Sequence, residues 1–555
     1  MQTNRPTRRF NKLLAGVCLL IHSLFASAGT HTWTGGASFE YWSASGNWSG
    51  GAPTADEAAP VVLIFPANFS GPFTNNIPNL KADEIRLLGS GQVVRGANGV
   101  SLTLRGGNTS TNVYSAGINY FDETLPLVLE GTNRVVAPVL FTFQSQISGS
   151  GGLEMNGTII LDGDSANTFT GATTVKSGNL TLNKEVVPVS EPLGLVSIYG
   201  PLIIEGGRVT HSADNGIANT ATVTIHPGAT LDLNGYNDTI GALALLGGSV
   251  ETDAGLLTLG GNVTATGNAT ISGKLSLGGL TRTFDVALSR TLTVSATISS
   301  GPGFNNAGLW KNGAGRLILS GANSFPGNLS VNAGELEARH NSAFGFDLFG
   351  TSVANGAKLT LGDGLIISSE PLNLSGVLQT TGVASWNGNI TISGDVGIGS
   401  VSSENELTLL GAISGPGSAY FSGQGLIILD GDSSNTYAGD TFSSATQLRL
   451  NKHNGAIAIP GNLTIGGWIG VNNSRLVYAV EPGQIASSAV VTINPTGRLL
   501  LNNGNQTISE LILTGGEMDS ANATVLLNGN VTAHASDQVA RIAGKLSLNG
   551  GQRTF

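Results

Sequence analysis

The chain of 555 residues has one cysteine, three methionines and few charges. With Cys18 the lone thiol, disulfides, thiolate zinc sites and a cysteine nucleophile are excluded from the rest of the chain. Charged residues make up 11% and aromatics 6%, against 40% hydrophobic. A disordered chain needs the opposite balance, high charge and low hydrophobicity. Basic residues are scarce: 26 Lys and Arg stand against 36 Asp and Glu, a net charge of −10. That argues against a nucleic-acid surface, which needs a basic footprint. Only 19 prolines occur, and no every-third-glycine pattern runs through the chain, so collagen is excluded. Beyond the N-terminus no apolar run approaches the length of a membrane span. The longest candidate, Val61 to Phe65, reads as a buried strand. Glycine is what the chain has in excess, 80 of 555 residues, about twice the usual share.

Residues 1–12 carry Arg5, Arg8, Arg9 and Lys12 and no acid. An apolar stretch follows from Leu13 to Phe25, then Ala26-Ser27-Ala28. A basic segment, a short apolar segment and a small-x-small end make residues 1–28 a cleaved secretory signal. The apolar stretch falls short of the roughly 20 residues that span a bilayer. Val17 precedes Cys18, where a lipidated cysteine would follow a small residue. Cleavage removes four positive charges and no negative ones, so −10 becomes −14. Such a chain suits solubility outside the cell and disfavours anionic partners.

The remainder is repetitive, and repeats are sought before domains. Ile147 onward reads ISGSGGLEMNGTIILDGDSANTFTG; Ile413 onward reads ISGPGSAYFSGQGLIILDGDSSNTYAG. The block IILDGD begins at Ile159 and again at Ile427, an offset of 268 that Lys184 and Lys452 keep. ATVTIHPGATLDLN from Ala221 pairs with AVVTINPTGRLLLN from Ala489. A shorter third copy starts at Gly308.

Locally the pattern has period two. Val223/Ile225, Leu231/Leu233, Leu275/Leu277, Leu359/Leu361 and Leu407/Leu409 alternate with polar residues, as in short strands with one buried face. Gly-Gly, Asn-Gly, Pro-Gly and Asp-Gly turns separate them. The repeat length fits neither a sandwich array nor a propeller. Short strands, tight turns and no helical periodicity predict an all-β parallel β-helix, a solenoid. At roughly 20–25 residues per turn it would have about 21–26 turns and a length on the order of 100–125 Å.

The third copy, GLWKNGAGRLILSGANSFPGNLSVNAGELEA, resembles the autotransporter-associated β-strand repeat. Gly308, Lys311, Gly313, Gly315, Leu317, Leu319, Gly321, Asn323, Phe325, Gly327, Val331, Gly334 and Leu336 fall on that motif. The copies near 147–182 and 413–450 keep Asn167-Thr168-Phe169 and Asn435-Thr436-Tyr437. The resemblance implies a right-handed β-helix of the passenger type on a bacterial surface. Its implied roles are adhesion, coating or carriage of an appended activity. Autotransporters end in a membrane β-barrel, and nothing like its strands is found here. Arg553-Thr554-Phe555 repeats Arg282-Thr283-Phe284, which reads as a chain stopping in mid-repeat.

Four features bear on chemistry. His31, His211, His226, His340, His453 and His534 show no metal-type spacing and read as exposed turn residues. Asp162-Gly163-Asp164 and Asp430-Gly431-Asp432 offer oxygen ligands suited to Ca²⁺, but Asp and Asn also cap turns unaided. The same carboxylates are the candidates for a polysaccharide-cleaving pair. Trp33, Trp42 and Trp48 form either a sugar platform or a plug for the open end of the solenoid. Phe169, Phe325 and Tyr437 are expected inside the turns.

The expected organisation is a signal at 1–28, a cap with the first turns at 29–130, and repetitive β-helix at 131–555. No catalytic, cofactor-binding or metal-binding residue is assigned, and no cofactor. The expected function is an exported, non-enzymatic scaffold or adhesin-like passenger. A polysaccharide lyase or glycosidase is the alternative. Extracellular polysaccharide or cell-surface components are the expected partners, with no nucleic acid and no membrane span.

Overall fold

Short alternating strands can bury their apolar side only if successive strands stack on one another. The computed structural model describes residues 29–37, 39–107, 110–185, 195–301, 306–346, 349–468 and 474–555. The expected secretory signal at 1–28, with Cys18, lies outside these residues. The chain winds as a parallel β-solenoid of about 22 turns, as the alternation predicts. Among the described residues no helix is long and apolar enough to cross a membrane.

Each turn supplies up to three strands, and each strand pairs in parallel with its counterpart one turn on. The first ladder runs from Gly29–Trp33 through Val61–Phe65 and Glu84–Leu87 to Ile413–Ser414. The second runs unbroken from Phe73–Asn75 to Val531–Ala533. The third includes Leu80–Ala82, Leu102–Arg105, Leu127–Glu130 and Ile147–Gly149, and later Leu365–Ile367 onward. With strands about 4.8 Å apart, the second ladder alone extends on the order of 100 Å.

The core is a set of aliphatic stacks along the axis. Leu180, Val209, Leu231, Val250, Ile271, Val294, Leu319, Ala338 and Leu361 follow one another in register, and all are buried. Stability therefore accrues turn by turn rather than from one central core. Phe169, Phe325 and Tyr437 are buried as expected.

Three successive strands, Thr132–Phe143, Gly152–Gly163 and Thr173–Lys184, cross a corner without interruption. Gly157, with φ +115°, makes that bend, and a Cβ there would overlap the Ala137 carbonyl.

The two long copies are not stacked face over face. The strand part at 173–175 belongs to the first ladder, yet its counterpart Thr441–Ser443 pairs in the second. Likewise 179–182 lies in the second ladder, and its counterpart Gln447–Lys452 in the third. The 268-residue offset thus carries the chain through whole turns plus one further face. Equivalent corners of the two copies point in different directions around the axis.

The N-terminal edge is closed by the tryptophans. Gly29–Trp33 pairs antiparallel with Trp48–Ser49 and parallel with Val61–Phe65. Trp33, Trp42 and Trp48 are buried and pack with Phe65 and Phe73. The Trp33–Trp48 and Trp33–Phe73 centroids are 5.0 and 5.2 Å apart. The Trp48 indole donates to the Trp42 carbonyl at 2.8 Å. These rings plug the solenoid, and their burial overturns the sugar-platform reading.

Candidate functional site

The polar residues of the repeat motif point inward and hold neighbouring turns together. Asn323 Oδ1 accepts the Ile298 N–H of the preceding turn at 2.9 Å, and its Nδ2 donates to Ala343 O of the next at 2.7 Å. Asn167 bridges Ile147 and Ser197 in the same way, as Asn435 bridges Ile413 and Ala458. A buried amide that meets one donor and one acceptor leaves neither backbone group unsatisfied.

Among the described residues three lysines are fully buried. Lys311 donates to the carbonyls of Asn312, Gly313 and Ala333 at 2.7, 2.8 and 3.1 Å. Lys184 donates to Ser145 O and Asp162 O, and Lys452 to Gly411 O and Asp430 O. Burial lowers each to about 8, opposed by the nearby negative charges of Asp285, of Asp162 and Asp164, and of Asp430 and Asp432. The repeat had marked these lysines, but only the fold shows that they are interior.

The Asp-Gly-Asp corners sit directly over two of these ammonium groups. Asp162 Oδ1 accepts from Asn183 Nδ2 at 2.9 Å, and Asp432 Oδ1 from Asn454 Nδ2 at 2.9 Å. Asp430 pairs with His453 at 2.9 Å, and Asp164 accepts from Ser165. A protein cation already occupies the carbonyl cradle beneath each turn. Addition of Ca²⁺ or of chelator is therefore expected to leave the melting temperature unchanged; a calcium-dependent rise would assign these corners as a metal site. Among the described residues no group of three or more His, Cys, Asp or Glu is arranged to hold a metal.

The histidines correct the expectation of exposure. His31 and His211 are buried, and among the six only His534 is exposed. His31 Nε2 sits 2.9 Å from Glu57. His211 Nε2 meets Asp238 Oδ2 at 2.6 Å, both fully buried. Each imidazole has a carboxylate partner brought from one turn away, and this offsets the cost of burying a polar ring. No sequence spacing along the strand reveals such a pair; a turn-length separation, 27 residues for His211 and Asp238, is the signal that would.

Some outward positions differ between the copies. Glu154 and Thr174 are paired on the outer face of the first copy. Their counterparts Tyr420 and Phe442 are paired in the second and stack at 4.5 Å with 10° between planes. Nothing in the period-two pattern singled out this pair.

The family model for the passenger-associated-transport-repeat matches residues 156–182 and 309–338. The second segment contains Lys311, Asn323 and Phe325; the first contains Asp162, Asn167 and Phe169. A stretch of 298 residues is 29% identical to the adhesin BmaC autotransporter of Brucella suis biovar 1 (strain 1330). It covers 54% of this chain and 8% of that protein, so the chain spans a small fraction of the relative it matches. No solved structure matches the chain. With its inward motif residues accounted for and its turns in parallel register, the chain is a β-solenoid that carries passenger-associated-transport-repeats at 156–182 and 309–338 and is similar to one part of an autotransporter adhesin.

Proposed function

We propose that the chain is an exported, non-enzymatic passenger that acts at the cell surface as a scaffold with an adhesin-like role. The observation that carries this reading is the division of labour between faces. The motif's lysines, asparagines and aromatics are committed to holding turns together, while outward positions such as Glu154/Tyr420 and Thr174/Phe442 change from copy to copy. A rod of this length displays those outward residues far from its base. The similarity to an autotransporter adhesin supports the same reading, and an export route to the surface goes with it.

Display of the full chain on a non-adherent bacterium tests the role. Attachment to polysaccharide-coated or host-cell surfaces above that of cells without the chain is expected. Equal attachment would sink the adhesive reading. Release of reducing or unsaturated ends from polysaccharides by the purified chain would favour the carbohydrate-cleaving alternative instead.

A further inference from the structure

The second ladder carries an outward feature that the architecture does not require. Along one outward row the residues are Val377, Gly397, Tyr420, Phe442 and Thr464, one per turn. Tyr420 and Phe442 stack nearly parallel, and Tyr420 is 38% exposed. One turn below, Gly397 and Gly399 place no side chain beneath Tyr420 and Ser422. The row therefore has a missing rung beside an aromatic face.

The flanks are acidic. Tyr420 lies between Gly397 and Phe442 in register, and Asp395 and Asp440, each two residues before one of these neighbours, bring their negative charges near its hydroxyl. Loss of water contact and then these two negative charges push the tyrosine hydroxyl up. Both carboxylates are exposed. Asp440 accepts from Asn462, and among the described residues neither is in an ion pair with a Lys, Arg or His. The first copy has Glu154 and Thr174 at the aromatic positions, so the stack is particular to this stretch. An aromatic face ringed by uncompensated negative charge attracts a flat, ammonium-bearing ligand, and the net charge of −10 repels acidic ones.

We infer that Tyr420, Phe442, Asp395 and Asp440, over the floor made by Gly397 and Gly399, form a subsite for an amino sugar of a polysaccharide. The pyranose ring lies against the exposed aromatic, and its ammonium group faces the carboxylates. The subsite rests on the adhesive reading above and supplies its ligand class.

The test uses the purified chain and a glucosamine hexamer, below the pKa of the sugar's amines, with calorimetric titration. Binding that weakens with salt is expected, as surface ion pairing requires. Tyr420→Ala is expected to weaken it about fivefold. The Asp395→Asn/Asp440→Asn double variant is expected to weaken it by at least as much and to flatten the salt dependence. Both should keep the parent melting temperature, which separates lost binding from lost folding. Three results would overturn the subsite: no binding of the hexamer, equal binding of its N-acetylated form, or equal binding of a lysine hexamer. Wild-type affinity in both variants would overturn it too. The two readings fail separately. Displayed cells that attach although the hexamer does not bind leave adhesion standing without this subsite. Hexamer binding that needs Tyr420, in a chain that confers no attachment, leaves the subsite standing without adhesion.

Discussion

Replacing His211 by Ala is expected to destabilise the surrounding turns by about 3–5 kcal/mol, the usual cost of breaking a buried pair from one side. The imidazole and the Asp238 carboxylate are both fully buried and 2.6 Å apart. Asp238 Oδ2 also accepts the Ile217 N–H at 3.0 Å, and Oδ1 accepts that of Thr239. Without His211 a carboxylate stays inside the solenoid with backbone donors only. The second copy shows how the same place is filled without charge. There Ala479 lies beside Leu450 as His211 lies beside Leu182. Gln506 Oε1 takes the Ile485 N–H at 3.1 Å, and its Nε2 donates to Glu481 O. The double variant His211→Ala/Asp238→Gln reproduces that chemistry and is expected to recover most of the loss. Hydrogen exchange across residues 198–240 is the measurement, because stability in a repeat array is local and one melting temperature can miss it. A single variant that exchanges like the parent would show that the pair contributes nothing. A double variant as unstable as the single would show that the loss comes from packing around the imidazole, not from the stranded charge.

That pair marks the limit of what the sequence discloses. Strand, turn and stacking are local consequences of alternation and glycine, so the solenoid and its turn count follow from short windows. Phe169, Phe325 and Tyr437 sit inside because an aromatic in each repeat has nowhere else to bury its area. The charged interior was not legible. Lys184, Lys311 and Lys452 look like ordinary surface residues until the carbonyls of neighbouring turns, 22 residues away for Ala333, Asp162 and Asp430, are brought onto them. His211 misleads for the same reason. The shift of the second copy by one face is hidden too, since turn lengths vary and a constant offset says nothing about rotation. Tyr420 and Phe442 belong to the outer face, where alternation specifies polarity only loosely and chance aromatics look like chosen ones.

Lys311→Met is expected to cost about 3 kcal/mol or more, even though methionine fills nearly the same space. The ammonium serves three carbonyls, and each buried acceptor left bare costs about 1–3 kcal/mol. Lys184→Met and Lys452→Met each strip two and should cost less. The same lysines give the chain an unusual alkaline behaviour. Burial holds each near 8 in the fold, whereas an unfolded lysine titrates near 10.4. Between those values the unfolded chain binds more protons than the folded one, so stability rises with pH. The gain is complete above the unfolded value and is lost as pH falls through about 8. Tyr437 acts in the opposite sense: burial raises its hydroxyl, so above about pH 10 the unfolded tyrosine ionises first and stability falls. Melting curves of the full chain should therefore move upward from about pH 8 to about pH 10 and then turn over. The triple Met variant should be less stable throughout and flat across that window. Parallel pH curves for the two proteins would mean that the ammonium groups are not the source of the rise. A neutral amine retains two N–H donors, enough for the two carbonyls at Lys184 and Lys452, so these lysines can shed their charge without leaving the backbone bare. That combination, a removable charge on a lasting donor, is what lets a lysine sit inside a solenoid with no carboxylate touching it.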